Sequence, residues 1–306
     1  MNKRIGLIGL GLMGRGMGHS LLRTGHPLCV LPHRRQDVAC ELEELGAEVA
    51  DSVADLARRV DMLVTCLPSQ AAVQEVLLGA EGVATHGRAG LLVVECSTLT
   101  STAAHALAGP LRARDIGFVD APLTGGPNEA LAGQLVALIG GDIPAEVERA
   151  QALLGNFCRQ SFRFPGTGQG YAAKLINNFL AFSQLAAIAE ALPTAVKAGL
   201  EMDTLLAMIQ QSGGQSRCLA GLQPWLTGRG ESRSRVTLAT AAKDVDAYWQ
   251  LAASVGNAGP VADSVRERFR QSLADGLGDS LTPCYISHQA CKVGTQIPPT
   301  APPPSA

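Results

Sequence analysis

Up to about residue 164 the chain alternates short apolar runs with amphipathic segments. The runs are "KRIGLIGL" (3–10), "LCVLP" (28–32), "DMLVTCL" (61–67), "LLVVECS" (91–97), "GFVDAPL" (117–123), "LVALIGG" (135–141) and "SFRFPG" (161–166). Several are apolar at consecutive positions, the pattern of strands buried on both faces of a mainly parallel sheet. Helical segments between most of them imply right-handed βαβ units. After Gly170 the strand signals stop. Helices are predicted over 171–198, 201–212, 216–226, 236–255, 258–276 and 280–293. Pro193 lies inside the first of these and is expected to kink it or end it early. The closing "TQIPPTAPPPSA" reads as a proline-rich, disordered tail. The expected organisation is an α/β domain over 1–165, an all-α domain over 166–293 joined to it by a long helix, and a tail over 294–306.

Composition narrows the class. A chain of 306 residues, 46% hydrophobic and 17% charged, fits an ordered protein of about two domains with a large core. A net charge of −2 gives no electrostatic case for nucleic acid or an anionic membrane as partner. The eight cysteines have no CxxC or metal-ligand spacing and read as small buried residues in a reducing compartment. No metal site is expected. The start, "MNKRIGLIGLGLMG", has the basic and apolar order of a signal peptide. Gly6, Gly9, Gly11 and Gly14 break the run, Arg15 interrupts it and no small-x-small site follows, so it reads as a strand and turn. No apolar stretch is expected to reach the roughly 18 residues that span a membrane, and the expected location is cytoplasmic.

Gly9-Leu10-Gly11-Leu12-Met13-Gly14 is G-x-G-x-x-G, directly after a strand and opening a helix. Gly9 allows the tight turn, Gly11 lets the backbone approach a pyrophosphate, and Gly14 allows close packing. The phosphates then sit on the N–H groups of the helix N-terminus, with Leu12 and Met13 beside them. This is the pattern of a Rossmann dinucleotide-binding domain. NAD sites place an acid at the end of the second strand, about 20 residues on. Here "CVLPHRRQD" has none before Asp37 and offers His33, Arg34 and Arg35. Arginine pairs well with a 2′-phosphate, so NADP is the expected cofactor, with NAD possible.

Lys174 stands out in "GTGQGYAAKLINN". Between Tyr171 and Val196 only Lys174 and Glu190 are charged, and only five of the 25 basic residues are lysines. A cation near a helix N-terminus opposes the helix dipole. That dipole and partial burial both push an ammonium towards giving up its proton. Asn178, four residues on, shares its helix face, whereas Asn177 points elsewhere. None of the six histidines has ligand spacing.

Four segments in order, the glycine loop, "ECSTLT", "DAPLTGGPNEALAGQL" and "GTGQGYAAKLINN", together with the late "AAKDVDAYW", resemble the β-hydroxyacid dehydrogenase family. This is the group of 3-hydroxyisobutyrate dehydrogenase and 2-hydroxy-3-oxopropionate reductase. The resemblance covers about 3–293 and implies hydride transfer between NAD(P) and a small 3-hydroxy acid or semialdehyde. It assigns Lys174 as the general acid and base. It assigns Ser97, Thr124, Gly125, Gly126, Asn178 and Lys243 to the substrate. Ser97, Leu67, Pro68, Lys243 and Asp244 are assigned to the cofactor, beside the glycine loop. Ser97 also reads as a helix cap, and Asp120 as a structural group of the strand-to-loop turn. Two glycines can form an anion-binding nest for a carboxylate. Thr124, in place of the family's usual serine, and Pro127 depart from the commonest form. The resemblance further implies a homodimer or homotetramer built on the long helix. Imine reductases generally replace the lysine, and phosphogluconate dehydrogenases carry a nearby histidine, so "KLINN" argues against both. The alternatives are an imine reductase-like enzyme and a non-catalytic NADP(H)-binding scaffold.

Overall fold

The structure, a computed structural model, describes residues 3–297. One compact unit ends at Leu175 and a second begins at Ile176. The first unit runs β1 (Ile5–Ile8), α1 (Leu12–Arg23), β2 (Leu28–Leu31), α2 (Gln36–Glu44), β3 (Glu48–Val49), α3 (Val53–Arg59), β4 (Met62–Thr65), α4 (Gln70–Leu78), α5 (Val83–His86) and β5 (Leu92–Glu95). It continues with α6 (Ser101–Arg112), β6 (Gly117–Asp120), β7 (Leu123–Thr124), α7 (Pro127–Ala132), β8 (Leu135–Gly141), α8 (Pro144–Leu154) and β9 (Cys158–Pro165). The strands form one sheet in the order β3-β2-β1-β4-β5-β6-β8-β7, with β9 beside β8. From β3 to β6 all pairings are parallel. The order 3-2-1-4-5-6 is that of a dinucleotide-binding α/β domain. β8 runs antiparallel to β6 and β7, and β9 parallel to β8.

The consecutive apolar runs have a direct cause. Successive side chains leave a strand on opposite faces. Leu92 and Val94 enter one core cluster with Met17 and Leu21 of α1. Val93 enters the other, with Leu56 of α3 and Leu107 of α6. Both faces of the sheet are covered by helices, so no position along β5 can be left polar without a partner. Glu95, at its end, is fully buried.

α9 (Gln169–Lys197) opens the helical part, followed by α10 (Met202–Gln210), α11 (Arg217–Leu226), α12 (Leu238–Ser254), α13 (Pro260–Ala274) and α14 (Pro283–Lys292). Phe182, Leu185, Ala189 and Leu192 of α9 recur at helical spacing in the core of the second unit. Phe269 sits among them, edge-on to Phe182 at 5.7 Å and stacked on Tyr285 at 5.6 Å between ring centroids.

Several expectations are corrected. The unit boundary falls later than 165, because Tyr171 at the start of α9 packs into the first unit's core. α9 begins at Gln169, two residues before the expected start at 171, which moves Lys174 from the first turn expected of it to the second. Pro193 does not end α9, which runs on to Lys197. Pro110 and Pro224 likewise sit in the last turns of α6 and α11. Near a C-terminus little helix follows the backbone bond that the ring removes. α9 is also long and apolar enough, by length and composition, to cross a membrane, which the sequence reading denied. Its alanines hide that density, and one face of it lies in the helical core. Cys40, Cys284 and Cys291 are exposed rather than buried. Of the tail expected over 294–306, Ile297 is buried in the helical core, and residues from 298 on lie outside those described.

Candidate active site

The glycine loop joins β1 to α1. Gly9 has φ +107°, and a Cβ there would lie 2.1 Å from the Cys66 carbonyl oxygen, just beyond β4. A Cβ on Gly14 would lie 1.9 Å from Gly9's own oxygen. Both must be glycine for the turn to close. Gly11 differs: a Cβ there would meet nothing within 4 Å. Gly11 caps α1 without a side chain, and no acid occupies the first turn. The first turn thus has open space beside Gly11 and no side-chain cap for its N–H groups, which suits a pyrophosphate. Leu12 is exposed and Met13 half-buried. The residues present fit the cofactor that the motif implies.

His33, Arg34 and Arg35 follow β2 and are exposed. Arg35 donates to both oxygens of Asp37, at 2.8 Å (Nε–Oδ1) and 2.7 Å (Nη2–Oδ2), and its guanidinium holds Asp37 down at about 2. Arg15 of α1 forms a similar fork with Glu41 of α2, at 2.7 and 2.6 Å. The charge of Arg35 also reaches Arg15. Arg15 is a basic neighbour of this turn that the sequence reading passed over, because it sits one helix away.

At the carboxyl ends of β4 and β5 a buried polar cluster forms. The Glu95 carboxyl accepts from the Ser97 N–H at 3.0 and 3.1 Å, from Ser97 Oγ and from Tyr171 Oη, with Thr65 Oγ1 at 3.3 Å. Burial pushes Glu95 up to about 7. Burial, with the Glu95 charge, lifts the Tyr171 phenol well above its ordinary value. Ser97 Oγ also accepts the Leu67 N–H at 2.8 Å, so Ser97 ties the turn after β4 to the turn after β5. Ser97 is no helix cap; Thr100 caps α6, accepting from the Ala103 N–H at 3.2 Å. Pro68 is exposed beside Leu67.

Asp120 ends β6 and is wholly buried. Its carboxyl accepts the Gly168 N–H at 2.7 Å and the Tyr171 N–H at 3.0 Å, capping the N-terminus of α9 from another strand. Burial raises its pKa. The slot exists because Gly140 and Gly170 lack side chains: a Cβ on either would lie within 2.8 Å of the Asp120 carboxyl. Lys174 follows on α9, half-buried. Its charge reaches the Cys66 thiol and opposes the burial that pushes that thiol up to about 12.

After Asp120 the loop is pinned by β7, with Thr124 paired to Val136 of β8. Gly125 has φ +118°, which a side chain would strain. Pro127 takes the first position of α7, where its missing N–H costs nothing. The Gly126 N–H is not open: it donates to Glu129 Oε2 at 2.9 Å. The expected carboxylate nest therefore already holds a carboxylate of the chain itself.

In the second unit, Asn178 is buried and its Nδ2 donates to Asp244 Oδ2 at 2.7 Å. Lys243 Nζ lies 2.8 Å from Asp244 Oδ1. Asp244 thus orients both Asn178 and Lys243. Asn177 is exposed.

This strand order, with a glycine loop that opens onto a helix N-terminus, defines a dinucleotide-binding protein. Residues 4–166 match the family described as the NAD binding domain of 6-phosphogluconate dehydrogenase, and residues 168–282 that described as NAD-binding of NADP-dependent 3-hydroxyisobutyrate dehydrogenase. The chain belongs to the β-hydroxyacid dehydrogenase family, and is an NAD(P)-dependent dehydrogenase acting on CH–OH groups. It is similar to the NAD-dependent L-serine dehydrogenase of Pseudomonas aeruginosa, with 34% identity over 73% of this chain and 74% of that one. It is similar to the 2-(hydroxymethyl)glutarate dehydrogenase of Eubacterium barkeri, with 29% identity over 90% of this chain and 91% of that one. Among solved structures, a 3-hydroxyisobutyrate dehydrogenase of Salmonella typhimurium superposes with a TM-score of 0.83 at 27% identity, covering 93% of this chain and 99% of that one.

Proposed function

We propose that the chain prefers NADP and interconverts a small 3-hydroxy acid and its aldehyde acid, with Lys174 as the proton donor and acceptor. The observation that carries this reading is Cys66. Its carbonyl oxygen packs against Gly9, and its thiol feels the charge of Lys174. This supports a cation of α9 acting within electrostatic reach of the residue that packs against the dinucleotide loop. The bound nicotinamide supplies or accepts the hydride at its C4. In reduction Lys174 gives its proton to the carbonyl oxygen and stabilises the charge that develops there; in oxidation its neutral amine takes the hydroxyl proton. Thr124 and the Gly125 N–H hold the substrate's carboxylate, with the Gly126 N–H shared with Glu129. Asn178 and Lys243 are the further substrate residues, oriented by Asp244.

The NADP preference rests on His33, Arg34 and Arg35 with Arg15 behind them. The acid of this turn, Asp37, is already bound to Arg35. The protein is proposed to work as a homodimer or homotetramer in the cytoplasm. Ile176 and Leu180, one turn apart on α9, are 48% and 57% exposed, and a mainly apolar groove lined by Ala187, Ala191, Ala195 and Leu200, with Glu190 and Thr194 among them, continues along it. Such a stripe fits burial against a second copy.

The test is spectrophotometric oxidation of 3-hydroxyisobutyrate, L-serine and a panel of other 3-hydroxy acids with NADP and with NAD, alongside reduction of cyclic imines. Turnover of a hydroxy acid with the lower KM for NADP supports the reading. A strong preference for NAD refutes the cofactor assignment, and turnover confined to imines refutes the substrate class.

A further inference from the structure

Glu95 carries a burial cost that the fold of the first unit does not require. It is fully buried, and burial is the dominant influence on its pKa. An apolar residue would fill the end of β5 without that penalty. Instead, three hydroxyls and one backbone N–H converge on its carboxyl, from three separate places: Thr65 on β4, Ser97 after β5 and Tyr171 on α9.

Tyr171 shows what this convergence does. Its backbone N–H goes to Asp120 at 3.0 Å, and its phenol goes to Glu95. Asp120 and Glu95 are register partners on neighbouring strands. One residue of α9 is therefore held at two points by two carboxyls. The Asp120 contact with two backbone N–H groups fixes where the helix starts. The phenol contact fixes how the helix is rotated about its axis. Lys174 follows Tyr171 by three residues and so shares its side of the helix. Through Ser97, the same carboxyl also holds the Leu67 turn, next to Cys66.

We propose that Glu95 is a positioning residue for the reaction, setting through Tyr171 the rotation of α9 that presents Lys174, and through Ser97 the turn beside the glycine loop. This rests on the assignment of Lys174 as the proton donor. The ionisable groups around Glu95 are the Cys66 and Cys96 thiols, the Tyr171 phenol and Asp120, with Lys174 acting on Cys66. In the ionised form Glu95 can accept from all four donors. A protonated Glu95 has a proton to donate, so one of these hydroxyls must reverse from donor to acceptor; that rearrangement loosens the hold on α9, and turnover falls as pH falls through the titration of Glu95, which burial moves up to about 7.

The experiment compares Glu95→Gln, Tyr171→Phe, the double variant and Lys174→Ala, assayed by oxidation of 3-hydroxyisobutyrate and L-serine from pH 5 to 10. NADPH binding is measured by fluorescence, and amide exchange of 167–175 by mass spectrometry. Each single variant should lower kcat by between about 10-fold and about 100-fold, the scale for a misplaced catalytic group, with NADPH affinity nearly unchanged. The double variant should be no worse than Glu95→Gln alone, since the contact that Tyr171→Phe removes is already broken there. In oxidation the neutral Lys174 amine sets an acid limb of its own; the further loss of turnover that Glu95 adds as pH falls through about 7 should be absent in Glu95→Gln and lie at higher pH in Tyr171→Phe, where one donor to the carboxylate is gone. Exchange over 167–175 should rise in both, a readout that needs no substrate. Should Glu95→Gln fail to fold, Tyr171→Phe, which loses a single oxygen, carries the test. An inactive Lys174→Ala beside Glu95 and Tyr171 variants with wild-type kcat, pH limb and exchange overturns the positioning role and leaves the lysine in place. A fully active Lys174→Ala overturns the assignment beneath it, and this inference with it.

Discussion

Glu95→Gln should make the stability of the protein less dependent on pH, and the structure sets the size of the effect. Burial lifts the Glu95 carboxyl from its ordinary 4.5 to about 7. Between those values the folded chain binds a proton that the unfolded chain has released. Stability follows the difference in bound protons, so it falls as pH rises across this window. The contribution is fully present below 4.5 and is lost as pH climbs through about 7. A span of roughly 2.5 pH units at about 1.4 kcal/mol each corresponds to about 3 kcal/mol. Glutamine keeps the shape and cannot titrate. Its amide satisfies the surrounding hydroxyls less well, but that cost is the same at every pH. Urea unfolding, followed by circular dichroism from pH 4.5 to 8, should show the wild type losing about 2–3 kcal/mol more than Glu95→Gln across the range. The difference between the two proteins is what is read, so other titrating groups cancel. Parallel curves would mean that Glu95 does not titrate in this window and would refute the reasoning.

Three further outcomes follow from the geometry. Gly14→Ala drives a Cβ to within 1.9 Å of the Gly9 oxygen and should lower the melting temperature of the free protein, whereas Gly11→Ala meets no atom of the chain. That variant should melt like the wild type and lose affinity for NADPH; normal NADPH binding would contradict the role given to the open slot. Glu129→Ala frees the Gly126 N–H and removes a negative charge beside it, so KM for a carboxylate substrate should fall severalfold, while an unchanged KM would place that N–H outside the substrate site. Leu180→Glu puts a charge on the exposed stripe of α9 and should shift the oligomer to monomer by light scattering, with kcat per chain measured alongside; an unaltered mass would move the interface elsewhere.

Much of the architecture was legible because its signals are local. The glycine spacing, the runs at 28–32 and 135–141, and the helical periods after Gly170 each depend on residues close in sequence, and the elements fall within a few residues of expectation. β3 and β7, at two residues each, are too short to stand out as apolar runs. The reversal of β8 against β6 depends on a pairing no local pattern encodes. The site divides in the same way. Lys174, Ser97 and the 124–126 loop could be found because they belong to contiguous motifs. Glu95 could not, although it stands in the quoted run 91–97. What makes it unusual is its hydrogen bonds to Thr65, 30 residues away, and to Tyr171, 76 residues away. Glu129 was hidden in another manner: its side chain occupies the N–H group that a sequence reading assigns to the ligand.

The central claim is that Lys174 transfers the proton that accompanies hydride transfer. Its most direct test is the kcat of Lys174→Ala with the hydroxy acid that turns over best, with NADPH binding measured on the same preparation. The account predicts that kcat falls at least about 100-fold, the lower range for acid–base catalysis, while NADPH still binds. Turnover equal to wild type, with binding intact, would contradict it.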